Sequence, residues 1–310
     1  MTTETKRYPA VMRAVFCHPW AIRPEMMAIV CEVVARRIDG DDIEDKPDRA
    51  AISARLSARP FTRQSDTAVV PVQGVIVHHG NMVDETSGPM TSVDTVFAQF
   101  SSAFADDSIK RIVLDVDSPG GSVDGVPELA DVIMAARGTK PIIAVANSLM
   151  ASAAFWIGAA ADEVVVTPSA QIGSVGVVAQ HIDFTEMDKM GGMERTLVSA
   201  GEFKTEFDGP LTDDALAELQ SEVDRIHTMF VQSLARGRGV TPSRVRSDFG
   251  RGRVVGAPLA VESGMADRIA TLDQVLGGST SKRRGGMSRA RVETERRRVT
   301  LRKRKAVQGG

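Results

Sequence analysis

The rhythm of hydrophobic and polar positions changes several times along the chain. Residues 24–38, PEMMAIVCEVVARRI, space their apolar groups on one helical face and begin with a proline suited to a first turn. A helix with a packing partner is predicted there. Residues 39–67 are charged and without period, and read as a linker or adaptable arm. From Ala68 short β-branched runs alternate with helical patterns. The runs 68–77 (AVVPVQGVIV), 111–118 (RIVLDVDS), 141–148 (PIIAVANS), 163–168 (EVVVTP) and 175–180 (VGVVAQ) are nearly continuous in apolar character, as strands are when both sheet faces are covered. A further strand candidate is 195–200, RTLVSA. Helices are predicted over 93–105, 126–136 and 151–160, and the alternation points to βαβ crossovers on a largely parallel sheet, an α/β fold. After Leu211 come a long amphipathic helix to about Arg236, a short one from Thr241 and a closing segment, 254–276. No internal repeat of fixed period is visible.

Composition adds an asymmetry. The chain of 310 residues is 43% hydrophobic and 25% charged, enough for one large domain or two modest ones. Of its 38 basic and 40 acidic residues, 12 and 2 fall from Lys282 onward, so a body of net −12 precedes a tail of net +10. From Gly277 the tail is Gly, Ser, Arg and Lys with few large apolar groups, and disorder in the isolated protein is expected. The division expected is an arm and linker over 1–67, a folded domain over 68–276 and a basic tail over 277–310. Cys17 and Cys31 lie away from any histidine pair, so neither a disulfide framework nor a zinc site is indicated, and thiols of a reducing compartment are expected. The start, MTTETKR, has no apolar run behind it, unlike a typical signal peptide. The apolar stretch 141–166 is interrupted by Asn147, Ser148, Ser152, Asp162 and Glu163, and reads as buried strand, helix and strand rather than a membrane span.

Three short segments carry chemistry. Asp117-Ser-Pro-Gly-Gly-Ser122 follows a strand and opens toward a helix near Val126, where glycines let backbone N–H groups face a cavity. Alone it serves equally as a tight turn or as half of an oxyanion hole. Ser152 follows a strand and begins a small-residue helix, so its hydroxyl can face the cavity beyond the strand ends while the N–H of Ala153 binds a developing negative oxygen. Alone, a serine among alanines is more often plain helix packing. A hydroxyl needs a base, and none of His18, His78, His79, His181 and His227 sits in a catalytic-looking loop. His181 is the one to weigh, against a plain surface or helix-start role. The other source of a base is an enclosed lysine, since burial moves a lysine's pKa from about 10.4 toward neutral. Lys204, in SAGEFKTEF, has Phe203 and Phe207 to screen it, while Glu202 and Glu206 must point away; alone, it is a solvated charge.

Four segments in order, DVDSPGGSVDG, NSLMASAAFWIGAAADEVVVTPSAQIGSVGVV, SAGEFKTEFDGPLTDDA and GRVVGAPLAVESGMADRI, resemble the S49 peptidase family, which includes signal peptide peptidase A and the head maturation proteases of tailed phages. The resemblance covers about residues 68–276. It implies a ClpP/crotonase-like core and a Ser/Lys dyad falling on Ser152 and Lys204. It also implies a lysine-orienting serine at Ser174 in IGSVGV, oxyanion donors at Gly121 and Ala153, and no metal or cofactor. Where signal peptide peptidases usually carry two glycines after the nucleophile, this chain has Ala153-Ala154, closer to the phage branch, and CHPWAIRPEMMAIVCEVVARR resembles the phage leader. The expectation is a prohead protease, without a membrane anchor, in the host cytoplasm and inside the assembling procapsid. Its substrates would be scaffold, portal or capsid proteins and the enzyme itself. A homo-oligomeric ring is expected, with the N-terminal helix as a contact and the 282–305 tail able to meet acidic scaffold or nucleic acid. A signal peptide peptidase, a crotonase-type acyl-CoA enzyme and a catalytically dead assembly protein are the alternatives.

Overall fold

The computed structural model describes residues 19–38, 61–79 and 90–277. Cys17, His18 and the basic tail lie outside the described residues. The strands are β1 (Trp20–Ile22), β2 (Thr62–Gln64), β3 (Thr67–Gln73), β4 (Val75–Val77), β5 (Met90–Ser92), β6 (Arg111–Ser118), β7 (Gly120–Ser122), β8 (Ile142–Ala151), β9 (Glu163–Val166), β10 (Gln171–Gly173), β11 (Val254–Gly256) and β12 (Arg268–Ile269). The helices are α1 (Pro24–Ile38), α2 (Val93–Ala105), α3 (Val126–Ala135), α4 (Ala153–Gly158), α5 (Thr185–Met190), α6 (Asp213–Arg238), α7 (Pro242–Asp248), α8 (Ala257–Ser263) and α9 (Leu272–Gly277).

Alternation within the strands builds two cores from one sheet. In the central strands β3, β6 and β8, Val70, Val72, Ile112, Leu114, Val116, Ile142 and Ala144 face helices α2, α3, α4 and α6 in the main core. Their neighbours Val69, Val113, Ile143 and Val145 face the other way, under Leu272, Val275 and Leu276 of α9. Both faces are therefore covered, and the strands read as continuous apolar runs.

The main sheet runs β2-β3-β6-β8-β10-β11, with β9 on β8 and β12 on β9. Pairing is parallel except for β2 on β3 and β11 on β10. At ten residues β8 is long enough to hold β9 through Ile143–Ala146 and β10 through Leu149–Ala151 on successive stretches. A second sheet, β1-β7-β4-β5, arises where two parallel neighbours leave the first at the same level. Gly74, with φ 72°, turns β3 into β4, and Pro119 with Gly120, φ 98°, turns β6 into β7. Ser118 ties the two departures together, its hydroxyl donating to the Gly74 carbonyl at 2.6 Å and accepting from the Gly120 N–H at 3.2 Å.

Helices α1, α2 and α3 lie within a residue of where the pattern put them, and Ser92 and Thr212 cap α2 and α6 through their side chains. Three expectations are corrected. Residues 175–180 hold one isolated bridge, Trp20 to Val178, and the strand of that region is β10 at 171–173. Val178 packs against Trp20 and α1, so its apolar character serves a side cluster and no sheet ladder. Residues 195–200 form no strand; Leu197 and Val198 face solvent, and no strand lies alongside to satisfy their backbone. Within the expected linker, Thr62–Gln64 adds an exposed antiparallel edge to β3.

Candidate active site

The site forms where β8 ends and α4 begins. Ser152 sits between them at φ 55°, ψ −118°, a backbone conformation that a residue with a Cβ adopts only under constraint. The constraint is visible on both sides. Its N–H donates to the Gly173 carbonyl at 2.8 Å, and its own carbonyl accepts the Trp156 N–H at 2.9 Å, starting α4. Four non-glycine residues have positive φ among the described ones, and two of them are Ser152 and Ser174. Half of these strained positions are thus the two serines singled out from the sequence, the others being Ser65 and Arg251.

Behind the elbow, α4 is fixed at its far end. Arg137 donates to the carbonyls of Ala159, Ala160 and Ala161 at 2.8, 2.7 and 2.6 Å and to that of Gly237 in α6 at 3.1 Å. Trp156 stacks on Phe230 of α6 with ring centroids 4.5 Å apart. Ala153 and Ala154 are wholly buried, so the positions after the serine are small because the core leaves no space for more.

In front of the elbow lies β7. A Cβ on Gly120 would come within 2.9 Å of the Ser152 Cβ, and one on Gly121 would overlap the Ile76 carbonyl. Glycine at the first place lets this strand pass directly beside Ser152, and at the second lets it pack against the Ile76 backbone. Ala153 supplies the first N–H of α4, which by position has no acceptor inside the helix. The Ser152 hydroxyl lies 3.4 Å from the Gly176 carbonyl oxygen, a long contact that leaves it available for a stronger acceptor. Ser174 follows Gly173 directly, is 6% exposed, has φ 54°, and donates its N–H to the Arg253 carbonyl at 2.9 Å.

Ser152 is thus bonded through its N–H to Gly173, the residue before Ser174, and Gly120, the residue before Gly121, lies against its side chain. Lys204 is not among these contacts within the single chain. It lies exposed in a turn closed by its N–H on the Gly201 carbonyl at 3.3 Å, and no described contact joins it to Ser152 or Ser174. Phe203, expected to screen it, is 62% exposed. His181 is held by a contact from Nε2 to the Gly209 carbonyl at 2.8 Å, so it fastens the loop after Lys204. Sequence reading missed the carbonyls of Gly173 and Gly176 and the hydroxyl of Ser118. The first two lie in the same glycine-spaced IGSVGV segment that drew notice to Ser174.

A serine at a strained strand-to-helix elbow, beside a glycine strand on a doubly covered parallel sheet, is an arrangement able to serve a serine peptidase with a ClpP-type core. Residues 72–182 match the profile of the Clp protease family, and residues 135–282 match that of peptidase family S49. The chain is thus similar to the S49 peptidases over a little under half of its length. It is 26% identical over 321 residues to capsid assembly protease C of Escherichia phage lambda, covering 97% of this chain and 72% of that protein. To the head-tail preconnector protein GP5 of Enterobacteria phage P21 it is 29% identical over 266 residues, covering 84% and 52%. Protease 4 of Haemophilus influenzae is 26% identical over 211 residues, covering 67% and 33%. The chain thus spans between a third and about three quarters of the length of these relatives.

Proposed function

We propose that the chain is the peptidase of a phage head-assembly system, cutting scaffold, portal or capsid proteins through a Ser152/Lys204 dyad. Ser152 attacks a peptide carbonyl, Lys204 takes its proton, and the N–H groups of Gly121 and Ala153 hold the oxyanion. An acyl-enzyme forms on the Ser152 oxygen and the amine leaves with a proton; water then releases the acid. Ser174 orients the lysine. In the single chain Lys204 is exposed, so the working site gains its enclosure from bound substrate or from a neighbouring subunit of a homo-oligomeric ring.

The observation that carries the reading is the strained, fully buried Ser152 with Gly120 pressed against it. The head-assembly setting rests on the two phage relatives. No helix among the described residues is long and apolar enough to cross a membrane, which leaves a membrane-anchored peptidase without an anchor in them.

Co-expression with the neighbouring head genes tests the reading. Wild type should shorten at least one head protein, and both Ser152→Ala and Lys204→Ala should leave it full length. Processing that survives Ser152→Ala would overturn the nucleophile; processing that survives Lys204→Ala alone would overturn the base.

A further inference from the structure

β1 is three residues long, yet it is among the best enclosed parts of the molecule. Trp20, Ala21 and Ile22 are 4%, 0% and 2% exposed. The strand is held on both edges. On one side it runs antiparallel to the glycine strand, with Trp20 opposite Ser122, Ala21 opposite Gly121 and Ile22 opposite Gly120. On the other, Trp20 exchanges both backbone hydrogen bonds with Val178, its N–H donating at 2.7 Å and its carbonyl accepting at 2.9 Å. The next residue after the strand, Arg23, donates its N–H to the Pro119 carbonyl at 3.1 Å.

Strand geometry fixes the neighbouring pair of hydrogen bonds. Successive residues turn their N–H and C=O groups to opposite edges, so if Trp20 spends both on Val178, Ala21 spends its pair on Gly121. Gly121 is the expected oxyanion donor. A Cβ added at Gly120 would overlap the Ala21 carbonyl oxygen and lie 2.9 Å from the Ser152 Cβ. A peptide carbonyl of the chain itself thus lies on Gly120, whose other neighbour is the Ser152 side chain, and is directed at the donor strand, in an extended segment clasped on both edges. That is the arrangement a peptide substrate needs beside Ser152.

The side chains also divide as those of a bound peptide would. Trp20 and Ile22 go to one face, onto Val75, Val178, Ile182 and Phe184. Ala21 goes to the other, into the main core, where nothing larger fits.

From this we propose that Trp20-Ala21-Ile22 is a built-in pseudo-substrate: it fills the groove between β7 and Val178, shields Ser152, and must leave before another polypeptide can be cut. The inference rests on Ser152 being the nucleophile, as in the proposed function, and adds who occupies the groove and what the groove accepts. An incoming peptide takes the same place as an added strand, with a small residue where Ala21 lies and apolar residues on either side. The occupying strand is short and connects to α1, so its release costs a local opening and leaves the main sheet intact.

A reversible lock tests it. In full-length protein carrying Cys17→Ser and Cys31→Ser, Trp20→Cys with Val178→Cys places two thiols on a hydrogen-bonded antiparallel pair, whose Cα separation of about 5.5 Å suits a disulfide. The readouts are the labelling rate of Ser152 by a fluorophosphonate and the hydrolysis of unfolded casein. Oxidation should slow both at least tenfold, and dithiothreitol should restore them. In a separate Trp20→Ala, Ile22→Ala variant, labelling should run several-fold faster than in wild type. Equal rates in oxidised and reduced protein would overturn the pseudo-substrate and leave the peptidase reading standing. No label on Ser152 in any of these proteins would sink both.

Discussion

At the scale of single residues the molecule carries one carboxylate that works against it. Asp115 alternates with Val113 on the sheet face under α9, and its Oδ1 has no hydrogen-bond partner. Burial raises its pKa above the usual carboxylate range, opposed by a hydrogen bond with Asn147 and reinforced by nearby Asp117. The folded chain therefore keeps this proton to higher pH than the unfolded chain does. Its contribution is fully present below the unfolded value, about 3.9, and is lost as pH rises through the raised folded value. Asp115→Asn should then raise the melting temperature at pH 7 and change it little at pH 3.5, as measured by thermal melts at the two pH values. An unchanged melting temperature at pH 7 would refute the account. Legible from the residues themselves were Ser152, at a strand-to-helix junction, and the Gly120-Gly121 pair, while Ser174 stood out by resemblance; both serines carry positive φ and both glycines sit at close approaches. Lys204 stood out only by resemblance, because a lysine's environment depends on what encloses it and local sequence does not record that.

At the scale of elements, prediction followed burial. Strands β6 and β8 and helix α2 were visible because each makes a long, regular contact with the core, and α1 because Met27 and Val30 pack at helical spacing on the cluster around Trp20. Segments 175–180 and 195–200 misled because apolar residues also serve contacts that are not ladders: Val178 packs on Trp20 and α1, and Val198 is 95% exposed. The three-residue β1 was invisible, since a strand that short has no period to detect and its partners lie about a hundred residues away in sequence. The join between α4 and α6 yields a prediction of its own. Phe230 is fully buried and stacked on Trp156, one turn past Ser152, so Phe230→Ala should destabilise the fold by about 3–5 kcal/mol. Urea unfolding followed by far-UV circular dichroism measures this. A loss below about 1 kcal/mol would mean that α6 does not support the elbow.

At the scale of the whole molecule, charge and surface are the relevant quantities. An acidic body with a basic end can bind its own kind or a polyanion. If the tail meets nucleic acid, full-length protein should bind duplex DNA at low salt more tightly than residues 1–280 do, with affinity falling steeply as salt rises. Equal binding by the two in a fluorescence-anisotropy salt titration would rule this out. Exposed Met190, Leu197, Val198 and Phe203 cluster in the stretch leading to Lys204, a surface that ring assembly would cover. Light scattering on wild type and on Val198→Glu should give a smaller assembly for the variant, together with slower labelling of Ser152 if the neighbour completes the site.

Arg137 reads only main-chain oxygens, four of them, behind the helix that begins at the nucleophile. A clamp of that kind is indifferent to the side chains it holds in register. Side chains around the start of that helix are thereby free to diverge, generation after generation, with no matching change at its anchorage.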